Sequence, residues 1–306
     1  MALVNDIGRE AVEKKGWWSA HKWLVLRRSS QVAIIGLFLL GPLADIWWIK
    51  GNLSASLFLD TIPMTDPFVF TQSLLAGHVD TVSTAVTGAL IVVGFYLLVG
   101  GRVFCSWVCP MNPVTDAAAW ARNRLDIRQT MNISRGFRYW LLAAVLVLAL
   151  ATGSLAWELL NPVSVLHRGL IFGMGFGWTV IAAVFVFDLF VAKRGWCSHV
   201  CPQGALYGFL GYFSPVRVRA DNRIACDDCK ECYLVCPEPQ VITPALKGGV
   251  QGLGPVILSG ACTNCGRCID VCAEDVFGFG TRFNNRVHTE ENRAQVKHAG
   301  THFKTS

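Results

Sequence analysis

Cys226-Asp227-Asp228-Cys229-Lys230-Glu231-Cys232-Tyr233-Leu234-Val235-Cys236-Pro237 and, further along, Cys262-Thr263-Asn264-Cys265-Gly266-Arg267-Cys268-Ile269-Asp270-Val271-Cys272-Ala273 decide how the end of this chain folds. Both stretches read C-x2-C-x2-C-x3-C. Three thiolates spaced this closely converge on one metal–sulfide centre, whereas the fourth is displaced and reaches a second centre. Structural zinc sites instead favour two C-x2-C pairs separated by a longer insert. The spacing therefore assigns Cys226, Cys229, Cys232 and Cys272 to one [4Fe-4S] cluster, and Cys262, Cys265, Cys268 and Cys236 to a second, with iron held by these eight thiolates. Ala273 stands where the first run has Pro237, which alters local stiffness but not the ligand set.

The pattern is that of bacterial two-cluster ferredoxins. After Pro215 the composition turns polar and cysteine-rich, so residues 216–283 are expected to form a small α+β domain of this type. The stretch 284–306 lacks apolar periodicity and reads as a polar, flexible tail. Glycines at 248, 249 and 252 do not lie between a strand and a helix, so no hydride-cofactor fingerprint is present.

Upstream, the chain cannot be an ordinary soluble globule. Of its 306 residues 53% are hydrophobic and only 16% charged, against about 25% charged in average soluble proteins. Apolar runs lie near 32–49, 82–100, 139–157 and 171–192, each close to the ~20 residues a helix needs to cross a bilayer. Trp47-Trp48, Tyr139-Trp140 and Trp157 stand at their ends, at interface depth. All lysines and arginines except Lys50 and Arg168 fall before the first run, between the second and third, or after the fourth. The positive-inside rule then puts both termini and the central link in the cytoplasm.

The expected architecture is a cytoplasmic N-terminal segment (1–30) and a membrane all-α domain (31–215) of four transmembrane helices in two repeated hairpins. The ferredoxin domain and the tail follow. The expected location is the bacterial inner membrane. Residues 53–75, broken by Pro63 and Pro67, are expected to be interfacial or re-entrant on the outer face. Arg27-Arg28 resembles a twin-arginine export signal, but the long polar leader before it and the three apolar runs after it favour an uncleaved anchor. The basic balance follows membrane topology, so no nucleic-acid partner is implied.

The membrane part carries an internal repeat. Arg102-Val103-Phe104-Cys105-Ser106-Trp107-Val108-Cys109-Pro110 and Arg194-Gly195-Trp196-Cys197-Ser198-His199-Val200-Cys201-Pro202 share R-x-aromatic-C-S-x-V-C-P, each directly after an apolar run. Two cysteines four apart on a helix share one face. Cys105, Cys109, Cys197 and Cys201 are thus redox thiols, a third metal site shared between the hairpins, or structural elements at a turn.

The repeat aligns Tyr96 with Asp188. An ionisable group at membrane depth is a functional candidate, and quinol oxidation needs a proton acceptor, so Asp188 is placed in that role. The competing reading is that it pairs with Lys193 or Arg194. Glu158, His78 and His167 near the outer surface are weaker alternatives. Gly169, Gly173 and Gly177, at four-residue spacing, suggest close helix packing.

The chain as a whole resembles the NapH family, the membrane-bound ferredoxin-type subunit of the quinol dehydrogenase for periplasmic nitrate reductase, with MauN-type proteins as relatives. The resemblance is carried by Lys15-Gly16-Trp17-Trp18, Lys50-Gly51-Asn52-Leu53, Asn161-Pro162-Val163-Ser164, both C-x3-C-P motifs and both cluster runs. It implies four spans, quinol as substrate, electron flow towards a periplasmic nitrate reductase and a NapG-type multi-cluster ferredoxin partner. Such a chain is an electron-transfer subunit of a larger complex rather than a complete enzyme. The rival readings are a polyferredoxin-type maturation factor supplying electrons for thiol or metal reduction, and a membrane-anchored redox sensor. The expected topology leaves the clusters on the side opposite a periplasmic reductase, and the C-x3-C-P cysteines are the natural place for a relay.

Overall fold

The computed structural model describes residues 7–78, 82–127, 130–131, 133–173 and 175–284; the tail expected at 284–306 therefore lies, beyond Asn284, outside the described residues. Helix α1 (Arg9–Lys15) turns at Gly16 into α2 (Trp17–Ala44), the one described helix long and apolar enough to cross a bilayer by itself. It begins well inside the segment expected to be a separate polar leader and stops short of residue 49. The early start reflects docking on the ferredoxin domain, where the Asp270 carboxylate accepts from the Trp23 and Leu24 amides at 3.1 and 2.9 Å. The early end reflects Asp45, which adopts a left-handed conformation (φ 56°) and caps the helix by donating its N–H to Gly41 O.

Strands β1 (Ile49–Gly51), β2 (Ala55–Phe58) and β3 (Ile62–Thr65) form a small antiparallel sheet in that order. Asp66 then caps α3 (Pro67–Leu75), accepting from the Phe68 amide at 2.7 Å. The proline at the first helical position is pre-set for the turn and lacks only an N–H that would be unused. Helix α4 (Val82–Val99) packs on β3, where a Cβ on Gly88 would lie 2.7 Å from Thr65 Oγ1. A π-helical turn (Phe104–Val108) leads to α5 (Met111–Arg124).

The second half repeats the helix order, with a short helix where the first half has its strands. After α6 (Phe137–Thr152) and α7 (Ala156–Leu160), Asn161 caps α8 (Pro162–Phe172) through the Val163 amide at 3.1 Å. Helix α9 (Gly177–Val186) runs on into a π-helical turn (Phe187–Val191), a second such turn covers Trp196–Val200, and α10 (Pro202–Gly211) follows. The fourth apolar run is therefore not one helix. It breaks at Gly173 (φ 90°), which separates Gly169 on α8 from Gly177 on α9, so the three glycines do not form one packing stripe. Besides α2, the expected spans correspond to shorter apolar helices over Thr84–Val99, Phe137–Thr152 and Gly177–Val191.

The final domain contains β4 (Val216–Ala220), α11 (Glu231–Val235), α12 (Ile242–Lys247), α13 (Arg267–Val271) and β5 (Phe277–Thr281), with β4 antiparallel to β5. Its core gathers Val218, Ile242, Leu246, Ile257, Val276 and Phe277.

Two carboxylates, Glu238 fully buried and Asp116 partly buried, lock the domain to the helices. Glu238 meets Arg102 at 2.6 Å and Arg138 at 2.8 Å. Asp116 takes a bidentate contact from Arg267 at 2.8 Å, a second from Arg194 at 3.1 Å, and also pairs with Arg28. Burial alone would raise both carboxyls, but the guanidinium groups outweigh it and hold each below its ordinary range. Close backbone approach completes the seam: a Cβ on Gly260 would lie 2.1 Å from Gly208 O.

Candidate electron-transfer site

The twelve cysteines converge, in fours, on three enclosed chambers. Cys236, Cys262, Cys265 and Cys268 line one, together with Pro237 and Val218. Cys226, Cys229, Cys232 and Cys272 line another, with Leu246 and Phe277. Cys105, Cys109, Cys197 and Cys201 line the third, on the helical side, with Phe104, Met111, Asn161 and Gln203. All three are small voids of about 20 Å³. Four soft sulfur donors in a largely apolar wall are the donor set of iron–sulfur chemistry, so the residues fit such a group in the ferredoxin domain. The helical chamber offers the same number and type of donors in a void of the same size.

The helical chamber is built by an unusual local geometry. Proline disfavours helical backbone in the residue before it, and Cys109 and Cys201 accordingly leave the helix with ψ of 121° and 112°. Their amides close wide turns on Phe104 O at 2.9 Å and Trp196 O at 2.8 Å. The cysteines of each pair therefore sit not on one face of a regular helix but on a π-helical turn and its terminus. Pro110 and Pro202 then restart the chain as α5 and α10, and the Gly204 amide donates to Cys201 Sγ at 3.5 Å.

The structure gives Asp188 a positioning contact. It is fully buried, and its Oδ1 accepts from the Trp196 amide at 2.8 Å, directly before Cys197. Its Oδ2 has no partner among the described residues. Pairing with Lys193 or Arg194 is not what the structure brings together: Lys193 donates to Leu234 O and Arg194 binds Asp116. Asp188 does not line the thiol chamber. Tyr96 packs against the rings of Phe104 and Tyr207. Glu158 accepts from Ser54 and Ser164, His167 is buried against Phe38, and His78 is exposed.

Sequence reasoning passed over a second buried carboxylate bonded towards the thiols. Asp66, 4% exposed, accepts from Gln203 Nε2 at 2.7 Å and Tyr207 Oη at 3.0 Å, and Gln203 lines the thiol chamber. The signal was an Asx-Pro pair in each half, Asp66-Pro67 and Asn161-Pro162, opening a short helix that brings its capped end inward. On the far side of Asp66, an open cleft of about 520 Å³ is lined by Lys50, Leu57, Pro63, Thr65, Val69 and Phe70.

A family model described as a 4Fe-4S binding domain matches residues 83–128 and 174–220, and one described as a 4Fe-4S dicluster domain matches 225–276. The first pair of matches covers the two C-x3-C-P halves. The ferredoxin-type protein NapH of Escherichia coli (strain K12) is 49% identical over 282 residues, 92% of this chain and 97% of that protein. NapH of Haemophilus influenzae is 49% identical over 278 residues, 91% of this chain and 96% of that protein. The methylamine utilization ferredoxin-type protein MauN of Paracoccus denitrificans is 51% identical over 280 residues, 92% of this chain and 98% of that protein. No solved structure matches. With both halves of the helical part and the dicluster domain matched, and relatives near half identity along almost the full length, the chain belongs to the NapH/MauN family of ferredoxin-type iron–sulfur electron-transfer proteins.

Proposed function

We propose that this chain is the integral membrane electron-transfer subunit of a quinol dehydrogenase, passing electrons from quinol towards a periplasmic nitrate reductase with a NapG-type multi-cluster ferredoxin as partner. The observation that carries the reading is the convergence of twelve cysteines on three matched chambers, one of them among apolar helices. Cys226, Cys229, Cys232 and Cys272 hold one [4Fe-4S] cluster, Cys262, Cys265, Cys268 and Cys236 a second, and Cys105, Cys109, Cys197 and Cys201 a third iron–sulfur centre. Bound there, such clusters supply one-electron transfer at potentials set by burial, net charge and hydrogen bonds to sulfur.

Four spans in the inner membrane, with both termini cytoplasmic, accommodate the outward apolar side chains of the helices, among them Leu90, Leu98, Trp140, Leu150 and Phe190. We place the quinol ring in the open cleft, whose size is that of a small-molecule site. Thr65 of its wall adjoins Asp66, and Asp66 is bonded through Gln203 to the thiol chamber. Oxidation releases two electrons and two protons. The unpartnered Oδ2 of Asp188 supports its role as an acceptor for one of the protons.

The test mixes the oxidised, cluster-loaded chain with reduced quinol without oxygen and follows cluster reduction by EPR. Reduction on the timescale of turnover supports the reading. Clusters that dithionite reduces but quinol does not would overturn it in favour of a maturation role.

A further inference from the structure

We propose that the duplicated Arg-x-x-Cys-Ser elements form a two-armed clamp that seats one side of the ferredoxin domain on the helical thiol chamber. The Cys236/Cys262/Cys265/Cys268 site, and not the Cys226/Cys229/Cys232/Cys272 site, is then the one that quinol-derived electrons meet first. The inference rests on the reading of these chambers as cluster sites and adds an order to them.

The two arms make equivalent bonds. Arg102 donates to Ala261 O at 2.9 Å and Ser106 to Thr263 O at 2.7 Å, the carbonyls immediately before and after Cys262. Arg194 donates to Val235 O at 2.7 Å and Ser198 to Pro237 O at 3.1 Å, the carbonyls immediately before and after Cys236. One repeat thus brackets one cysteine of the chamber and the other repeat brackets a second. The serines directly follow Cys105 and Cys197, so each arm ties the peptide beside a helical thiol to the peptide beside a ferredoxin thiol. Arg102 also donates to Cys197 O at 2.8 Å, joining the two arms.

All four side chains are buried, and each guanidinium is neutralised on the spot, Arg102 by Glu238 and Arg194 by Asp116. Buried charge held this way fixes geometry, because moving either partner leaves an unpaired charge. The other ferredoxin chamber is attached differently. Its neighbours meet the N-terminal helix, with Lys14 pairing with Glu274, two residues after Cys272, and the Gly8 amide donating to Glu231, and Cys229 is exposed. The duplicated motif therefore couples to one site and leaves the other facing solvent.

In the coupled step, quinol would give up two protons, one to Asp188 and one to water, and two electrons that pass singly by way of the helical chamber, and each ferredoxin site would take one electron, the Cys236 site before the Cys226 site. No bond to protein forms or breaks. The test uses rapid-freeze EPR on the full, cluster-loaded chain, with signals assigned by a Cys229→Ser variant that perturbs only the solvent-facing site. In the parent chain the Cys236 signal is expected to appear first.

In Ser106→Ala/Ser198→Ala, slippage of the seat lowers the rate of its reduction by quinol about tenfold. It also shifts the midpoint potential of that cluster alone, because the hydrogen-bonded peptides beside its ligands move. Iron content and the midpoint of the other cluster stay unchanged. Arg102→Lys, which keeps the charge but not the multiple bonds, acts in the same direction. Lys14→Ala, which loosens the other attachment, leaves the rate unchanged.

The clamp is wrong if the double serine variant behaves as the parent, if both midpoints move together, if Lys14→Ala slows reduction equally, or if the Cys226 signal appears first. Should quinol reduce neither cluster in the parent chain, the quinol reading fails, and the selective midpoint shift alone decides the clamp.

Discussion

Glu238→Ala probes the lock between the two parts of the chain. Glu238 and Arg102 are each 1% exposed as side chains and Arg138 is 4% exposed, with contacts of 2.6 and 2.8 Å. Truncation leaves two buried guanidiniums without their anion and frees Gln240, which had donated to Glu238 at 2.7 Å. Removing one member of a buried pair costs about 3–5 kcal/mol, and each 1.4 kcal/mol is roughly tenfold in an equilibrium constant. Local opening of the seam should therefore rise by about two to three and a half orders of magnitude.

Hydrogen exchange read by mass spectrometry on peptides covering 235–242 and 259–265 would show this as a matching loss of protection. Asp60→Ala is the internal control. The Lys50–Asp60 pair is about half exposed on both sides, and its loss should cost less than about 1 kcal/mol. If Glu238→Ala changed protection by less than tenfold, or no more than Asp60→Ala, the view of this carboxylate as a buried lock would be refuted.

Acid should reach the same seam. The carboxyls of Glu238 and Asp116 are held below their ordinary range in the folded chain, so their contribution is complete above that range and fades as pH falls through it. Exchange protection at 235–242 is expected to be flat from about pH 8 to pH 5 and to drop below about pH 4; a decline already at neutral pH would contradict this. Pro110→Ala with Pro202→Ala relaxes the extended backbone at Cys109 and Cys201, and should cost the helical chamber its iron while the ferredoxin domain keeps its own. Iron analysis of the variant reads this directly. Leu57→Trp fills the open cleft and should raise KM for quinol about tenfold or more with the EPR of the clusters unchanged; unchanged KM would remove quinol from that cleft.

Much of the ferredoxin domain was legible because metal ligation imposes a residue spacing, and spacing is what a sequence displays. The C-x3-C-P repeat was legible for the same reason, but its meaning was not. Only the folded chain brings Cys105 and Cys109 opposite Cys197 and Cys201, through prolines that end one helix and start the next. The apolar runs marked helices but misplaced their ends. Helix α2 extends to Trp17 because the ferredoxin domain covers Arg27 and caps amides there, a tertiary effect absent from local hydropathy. The run at 171–192 hides a break at Gly173, since a glycine in an apolar stretch does not announce a positive φ. Asp188 attracted notice by its depth, yet its described contact is to the backbone of the motif, while Asp66, Asp116, Glu238 and Asp270 are among the carboxylates bonded across the chain.

Iron and acid-labile sulfide per chain measure most directly whether all twelve cysteines hold iron. Three cubanes require about twelve irons, and changing Cys105, Cys109, Cys197 and Cys201 together to serine should remove about four of them while the ferredoxin EPR signals persist. A parent chain with about eight irons, unchanged by that substitution, would contradict the account and return the four helical cysteines to thiol chemistry or structure.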